Sequence, residues 1–269
     1  MTAIDKDIEA VLNGASDGCI VTGDCLEVMA TMPDGCVDLV LTDPPYGHNN
    51  KNGDLSSVYN VVRGLGTDKD PRPIANDGPE ANELYKTGLP LWRRVLKPGC
   101  CCCCCCCGGG GPDPQFSRWA MWMDEEIPFK MCVIWYKGSW GLGHHYRRCW
   151  ECILIGQVPG AACQWHAGTT VPNVVLDERK PRDDSHPTIK PIGLMAKFIR
   201  WHSAVGNVVI DPFCGSGTTC VAAKLLGRRY IGIEISPEYA EIARQRIKAV
   251  ETGVPVAEAK AGQMGLFKR

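Results

Sequence analysis

Asn207-Val208-Val209-Ile210-Asp211-Pro212-Phe213-Cys214-Gly215-Ser216-Gly217-Thr218-Thr219 is followed a few residues later by Tyr230-Ile231-Gly232-Ile233-Glu234. Asn207 to Ile210 has the apolar run of a strand buried on both faces. Gly215 and Gly217 permit a tight turn and let backbone approach a ligand without a Cβ clash. A helix is expected over Cys220 to Leu226, and its amino end offers unpaired N–H groups. Gly227-Arg228-Arg229 ends that helix, and Tyr230 to Glu234 forms the next strand. Glu234 then sits at a strand tip about 20 residues after the glycine turn, where an acid can accept hydrogen bonds from both hydroxyls of a ribose. Strand, glycine turn, helix and strand come in the order of a nucleoside-binding βαβ unit, so the chain reads as α/β. The three-glycine fingerprint of a dinucleotide site is absent.

Far upstream, Val37-Asp38-Leu39-Val40-Leu41-Thr42-Asp43-Pro44-Pro45-Tyr46 is a second buried strand that stops abruptly. Two successive prolines lack the N–H that a ladder needs, so the chain leaves the sheet there. They also fix two φ angles. The Asp43 carboxylate, the Pro44 carbonyl and the Tyr46 ring are thereby held on a stiff ledge at a strand's carboxyl end, where open α/β sheets bind ligands. A plain Pro-Pro turn is the default reading, and the acid before it and aromatic after it weigh against that default.

These two stretches carry a resemblance. Asp43-Pro44-Pro45-Tyr46 is similar to the catalytic motif of the amino-methyltransferases, which move a methyl group from S-adenosylmethionine to the exocyclic nitrogen of adenine or cytosine in DNA. Asp211 to Thr219 resembles the S-adenosylmethionine motif of the same enzymes. The resemblance covers most of residues 18 to 250 and is weakest over 47 to 80 and 157 to 185. The catalytic stretch precedes the cofactor stretch, as in the circularly permuted branch termed the beta class. It implies a Rossmann-like class I methyltransferase fold, with a seven-stranded, mostly parallel sheet and helices on both faces. It further implies one domain over residues 1–269, with a target-recognition segment at 138–185; the polar stretch Gly47 to Gly78, rich in Gly, Asn, Asp and Pro, itself reads as a mobile loop over 47–80. Asp43, Pro44, Pro45 and Tyr46 are the implied catalytic residues. The implied cofactor contacts are Asp24, Thr188, Lys190, Asp211, Phe213, Cys214, Gly215, Ser216, Gly217, Thr218 and Glu234. Thr188 and Lys190 enter through His186-Pro187-Thr188-Ile189-Lys190-Pro191, which is otherwise only a Pro-rich helix start. Asp24 could equally cap the helix after it. Asp-Pro-Pro-Tyr leans toward adenine N6, whereas a serine in first position leans toward cytosine N4. Double-stranded DNA is the implied partner, with a homodimer and a cognate restriction endonuclease as further expectations.

Between these poles the chain reads unevenly. Residues 1 to 17 look like a loose polar lead-in. Cys19 to Thr22 is a strand, followed by a helix through Leu26, Met29 and Ala30, and with the Val37 strand these form one βαβ unit that puts Asp24 near Asp43. Glu80 to Leu96 is helical, and Leu96-Lys97-Pro98-Gly99 reads as the turn into a strand. That strand contains eight of the 17 cysteines, Cys100 to Cys107. Alternating strand residues face opposite ways, so the run cannot wrap one ion and reads as a thiol-filled strand without metal. Cys214 is no nucleophile candidate, because ring-carbon cytosine methylation in the related family uses a Pro-Cys pair that this sequence lacks.

The net charge of -1 says little about DNA, so any footprint must be local. From Lys130 to Val205 ten Lys/Arg face five Asp/Glu, which marks this segment as the candidate phosphate-facing surface. Met131 to Tyr136 and Cys152 to Ile155 read as strands. The glycine-rich, aromatic and basic loop Gly138 to Arg148 between them supplies His144, His145, Arg147 and Arg148 as DNA contacts, and Lys180 and Arg182 follow from the irregular stretch Gln157 to Ser185. A cleavable signal pattern and a long uncharged apolar run are both absent, so a cytoplasmic protein without membrane contact is expected. Two rival classes remain: a non-catalytic nucleic-acid-binding module on the same fold, and a redox or metal protein built on the cysteines.

Overall fold

The structure is a computed structural model and describes residues 3–47, 75–106, 115–138, 149–176 and 190–252. Most of the expected loop 47–80, the candidate DNA contacts His144, His145, Arg147, Arg148, Lys180 and Arg182, and Thr188 lie outside the described residues. The described strands are β1 (Gly18–Thr22), β2 (Val37–Thr42), β3 (Leu96–Cys106), β4 (Phe129–Tyr136), β5 (Trp150–Gln157), β6 (Val174–Leu176), β7 (Val208–Asp211) and β8 (Arg229–Glu234). The helices are α1 (Lys6–Leu12), α2 (Cys25–Ala30), α3 (Ala81–Val95), α4 (Gln115–Glu126), α5 (Ile192–His202), α6 (Thr218–Leu225) and α7 (Pro237–Thr252).

All eight strands join one sheet in the order β1-β8-β7-β2-β3-β5-β4-β6. The β1, β8, β7, β2 and β3 ladders are parallel; β5 runs antiparallel to both β3 and β4, and β6 pairs parallel with β4. The central strands are covered on both faces. Ile8, Met29, Trp92 and Trp119 from α1 to α4 pack on one face, while Phe198, Ala222 and Ala243 from α5 to α7 pack on the other. Every residue of β2 is buried. Burying Val37, Leu39, Val40 and Leu41 contributes roughly 1.5–3 kcal/mol for each side chain. Such a strand can continue only while it pairs on both sides, so Asp43-Pro44-Pro45 marks a physical end to the ladder.

The cysteine run behaves as a strand of small hydrophobes. Cys100, Cys102, Cys104 and Cys106 enter the core on the α1–α4 face, and Cys101, Cys103 and Cys105 enter the opposite one. Burial pushes the thiols of Cys103, Cys104 and Cys105 well up from their ordinary range.

Five expectations need correction. The lead-in is partly helical: Asp5 caps α1 by accepting from Asp7 N at 2.9 Å, and Ile8 and Val11 are fully buried. Two apolar residues three apart are enough to dock a seven-residue helix, and the charges around them masked that stripe. β1 is not the neighbour of β2. It pairs with β8 at the sheet edge, with β8 and β7 between it and β2, because a crossover can skip strands and sequence spacing does not say how many. Leu96 to Gly99 lies inside β3 as a bulge: Val37 pairs with Leu96 and Leu39 with Cys101. Gly99 has φ +81°, and a Cβ there would lie 2.3 Å from the Ala162 carbonyl oxygen, so only glycine fits the bulge. The segment 157–185 is not wholly irregular, since Val174–Leu176 forms β6. That short strand makes the sheet eight-stranded where seven were expected.

Asp38 is an acid inside the buried β2, and it is fully engaged. Its Oδ1 accepts from Lys97 Nζ at 2.7 Å and its Oδ2 from Val208 N at 2.8 Å, tying β3 and β7 to the lower end of β2.

Candidate active site

The crevice forms where β2 and β7 lie side by side and their carboxyl ends open together. Thr42, the last residue of β2, donates from Oγ1 to Asp211 Oδ1 at 2.8 Å. Asp211 ends β7, and its Oδ1 also accepts from Phe213 N at 3.1 Å. One buried carboxylate therefore joins the ledge strand to the glycine turn, and both turns leave the sheet from a common base.

On the ledge, the Tyr46 hydroxyl donates to Asp43 Oδ1 in a short hydrogen bond. Lys190 Nζ donates to Asp43 Oδ2 at 2.6 Å and to the Tyr46 oxygen at 3.1 Å, with its ammonium 5.2 Å from the Tyr46 ring centre. Asp77 fixes the exit of the ledge, accepting from Tyr46 N at 3.0 Å and Gly47 N at 2.9 Å. Burial and the adjacent Asp43 carboxylate both push the Tyr46 phenol up, so it stays a neutral donor. Burial pulls Lys190 down, but Asp43 and Glu151 outweigh it and hold the ammonium charged. Glu151, from β5, is also held by Lys137, in an ion pair. Burial raises Glu151, yet Lys190 and Lys137 prevail and keep it below the usual carboxylate range.

Behind the ledge runs an aromatic column. Tyr46 lies 6.2 Å from Trp119, which stacks on Tyr85 at 4.1 Å; Tyr85 meets Trp92 edge-on at 5.5 Å, and Trp92 meets Phe213 at 6.3 Å. The column reaches from the ledge to the glycine turn, so the Tyr46 ring rests on a rigid support.

The glycine turn is built for close approach. Gly217 has φ +81° and caps α6, which starts at Thr218. Gly215 has φ +50°, and a Cβ there would meet nothing within 4 Å, which leaves open space in front of its backbone. Glu234, at the tip of β8, accepts from Gly215 N through Oε2 and from Ser236 N through Oε1, each at 2.9 Å. Burial raises it against those two N–H groups, and each carboxylate oxygen keeps a lone pair for a further donor. Arg246 of α7 braces the turn by donating from Nη1 to the Ser216 carbonyl at 2.6 Å and the Ser216 hydroxyl at 2.8 Å. Open space, an acid at the strand tip and a helix amino end together fit a nucleoside with ribose hydroxyls.

Of the residues expected from sequence, Asp43, Tyr46 and Lys190 come into direct contact, and Asp211, Phe213, Gly215 and Glu234 share hydrogen bonds around the turn. Cys214 is buried, and its N–H donates to the Ile233 carbonyl at 3.0 Å, which gives it a packing role. Asp24 is not near Asp43. It caps α2 by accepting from Leu26 N at 2.7 Å, and adjacent Gly23 donates to the Glu234 carbonyl at 2.9 Å. With β8 and β7 intervening, Asp24 stands about 14 Å along the sheet from the ledge. Sequence reasoning missed Thr42, Asp77, Glu151, Lys137 as its partner, and Arg246. For Glu151 a signal existed, because an acid opening an otherwise apolar strand is rarely left without a partner.

Asp211 carries a pH signature. Burial pushes its carboxyl up from 3.8 to about 6, although hydrogen bonds from Thr219 and Thr42 oppose the shift. Between those values the folded protein holds a proton that the unfolded chain has lost, so this group's stabilisation falls as pH rises through that window and is level above it. Asp211→Asn keeps the acceptor for Thr42 and removes the titration. Urea midpoints at pH 4 and pH 7 are expected to show the wild type losing about 2–3 kcal/mol relative to the variant across that interval.

A family model described as DNA methylase matches residues 37–245, and the chain belongs to this N6/N4 methyltransferase family. These enzymes take the methyl group from S-adenosylmethionine and act on DNA. The chain is 31% identical over 240 residues to the proposed methylase YubD of Escherichia coli (strain K12), covering 86% of this chain and 90% of that protein. It is 27% identical over 255 residues to the type II methyltransferase M2.MboI of Moraxella bovis, covering 84% and 86%. Among solved structures it is similar to a proposed DNA modification methylase of Thermus thermophilus complexed with S-adenosyl-L-methionine. The TM-score is 0.63 at 24% identity, over 88% of this chain and 97% of that one. Among the described residues no helix is long and apolar enough to cross a membrane.

Proposed function

We propose that the protein transfers the methyl group of S-adenosylmethionine to the exocyclic N6 of an adenine flipped out of double-stranded DNA. The observation that carries this reading is the Thr42–Asp211 bond, which sets the Asp43–Tyr46 ledge beside the glycine turn. Glu234 would take the ribose hydroxyls, the backbone at Gly215 and Gly217 would line the cofactor, and Phe213 and Asp211 would shape the floor. Bound there, S-adenosylmethionine supplies an electrophilic methyl on a sulfonium.

The chain's own residues do the rest. Tyr46 stacks the extruded base, offsetting an extrusion cost of a few kcal/mol with roughly 1–3 kcal/mol of stacking. Asp43 and the Pro44 carbonyl accept the two amino hydrogens, which orients the nitrogen lone pair at the methyl group. The same acceptors stabilise the positive charge that develops on nitrogen. Covalent attachment to the protein is unnecessary, because an amine attacks a sulfonium directly.

Adenine is preferred because Asp43 occupies the position where the cytosine branch leans to serine. M2.MboI, named a type II methyltransferase, supports the reading that a restriction endonuclease accompanies the enzyme. Mass spectrometry of DNA incubated with enzyme and methyl-labelled cofactor is expected to show label in N6-methyladenine. Label in N4-methylcytosine alone reverses the choice of base.

A further inference from the structure

In the structure both oxygens of the Asp43 carboxylate are engaged, Oδ1 by the Tyr46 hydroxyl and Oδ2 by Lys190 Nζ at 2.6 Å. A substrate amino group that is to be held by Asp43 must displace at least one of these donors. Lys190 is the costlier to displace, since its side chain is 9% exposed and a buried cation without an anion is strongly unfavourable. A second anion stands within reach. Glu151 Oε2 lies 3.4 Å from Lys190 Nζ. It is buried and has no hydrogen-bond partner among the described residues, while Oε1 is tied to Lys137. The Lys137 ammonium also lies 5.2 Å from the Trp135 ring centre, which steadies the pair.

We infer that Glu151 is a positioning residue that serves as the second seat of the Lys190 ammonium, taken when the target amino group claims Asp43. Moving Nζ by less than about 1 Å converts the 3.4 Å contact into a charge-assisted hydrogen bond and stretches its 2.6 Å bond to Oδ2, loosening it for an incoming donor. Lys137 keeps Glu151 ionised and in place, and the two lysines balance the two carboxylates throughout. Resting and engaged states then differ by where one cation sits, and no buried charge is left alone. The catalytic carboxylate is consequently capped until a base arrives. This inference rests on the reading of Asp43 as the aligner of the amino group.

The test compares single-turnover methyl transfer of wild type, Glu151→Gln, Lys190→Met and the double variant, with Asp43→Ala beside them. Glu151→Gln is expected to lower the rate roughly 10–100-fold and to lower the melting temperature, because Lys137 loses its anion, while the S-adenosylmethionine Kd stays near wild type. In the Lys190→Met background the same change is expected to cost less than about threefold, because no ammonium needs a seat. An equal cost in both backgrounds, or a wild-type rate for Glu151→Gln, overturns the inference. An active Asp43→Ala enzyme instead overturns the underlying reading. If Glu151→Gln does not fold, a crystal structure of the unaltered enzyme with a non-reactive cofactor analogue and DNA holding an extruded target decides. Lys190 Nζ closer to Glu151 than to Asp43 supports the inference, and the reverse overturns it.

Discussion

Asp43→Ala is expected to lower methyl transfer by about 10²–10³-fold or more, with S-adenosylmethionine binding retained within a few-fold. The separation follows from geometry. Asp43 touches Tyr46 and Lys190 on the ledge, whereas the glycine turn is held by Asp211, Glu234 and Arg246. Truncating Asp43 removes the acceptor that would orient the amino nitrogen and leaves Lys190 facing Glu151 alone, so the fold loses one ion pair but keeps the other. Calorimetry of cofactor binding alongside a single-turnover assay measures both quantities. Full activity in the variant rules out the alignment mechanism, and loss of cofactor binding shows that the ledge and the turn are not separable.

Gly217→Ala is expected to lower stability by about 2–4 kcal/mol, summing a left-handed non-glycine residue with an overpacked contact. The φ of +81° disfavours any side chain, and the new Cβ would lie 2.8 Å from Ala243 Cβ and 3.2 Å from its Cα, so α7 itself must move. Since Arg246 of α7 braces Ser216, that movement also disturbs the turn and weakens cofactor binding. Gly215→Ala makes the informative contrast. Its Cβ meets no protein atom within 4 Å, so it is expected to cost only about 1 kcal/mol of stability while weakening S-adenosylmethionine binding at least about tenfold by filling the space in front of the turn. Thermal melts and cofactor titrations of the two variants separate them. Equal melting temperatures for both contradict the packing argument.

The parts legible in the sequence were those in which local chemistry dictates the outcome. Pro44-Pro45 had to end β2, Gly215 and Gly217 had to form the turn into α6, and an acid ending β8 had to face the crevice. The thiol strand was legible too, because alternation follows from strand geometry whatever the residue. Lateral order was not, since nothing in Cys19 to Thr22 says that β8 and β7 come between β1 and β2. Nor was the pairing of Lys190 with Asp43, separated by 147 positions, because such contacts arise from the folded sheet and not from spacing. Resemblance put Lys190 with the cofactor, and the structure brings it to the ledge. Thr42 and Arg246 escaped for a further reason: a threonine ending a strand and an arginine on a polar-looking helix have nothing unusual about them until their partners are known.

β3 has a consequence for how the protein ages. Cys100 to Cys106 are buried in the middle of the sheet, while Cys163 is exposed and its thiol contacts that of Cys101. Burial holds the thiols of Cys102 to Cys105 in the protonated, less reactive form. Once the sheet opens, a dense row of unshielded sulfur is released in a single event, and oxidation there competes with refolding. Recovery from denaturant is therefore expected to fall with time spent unfolded under air and to be restored by a reducing agent.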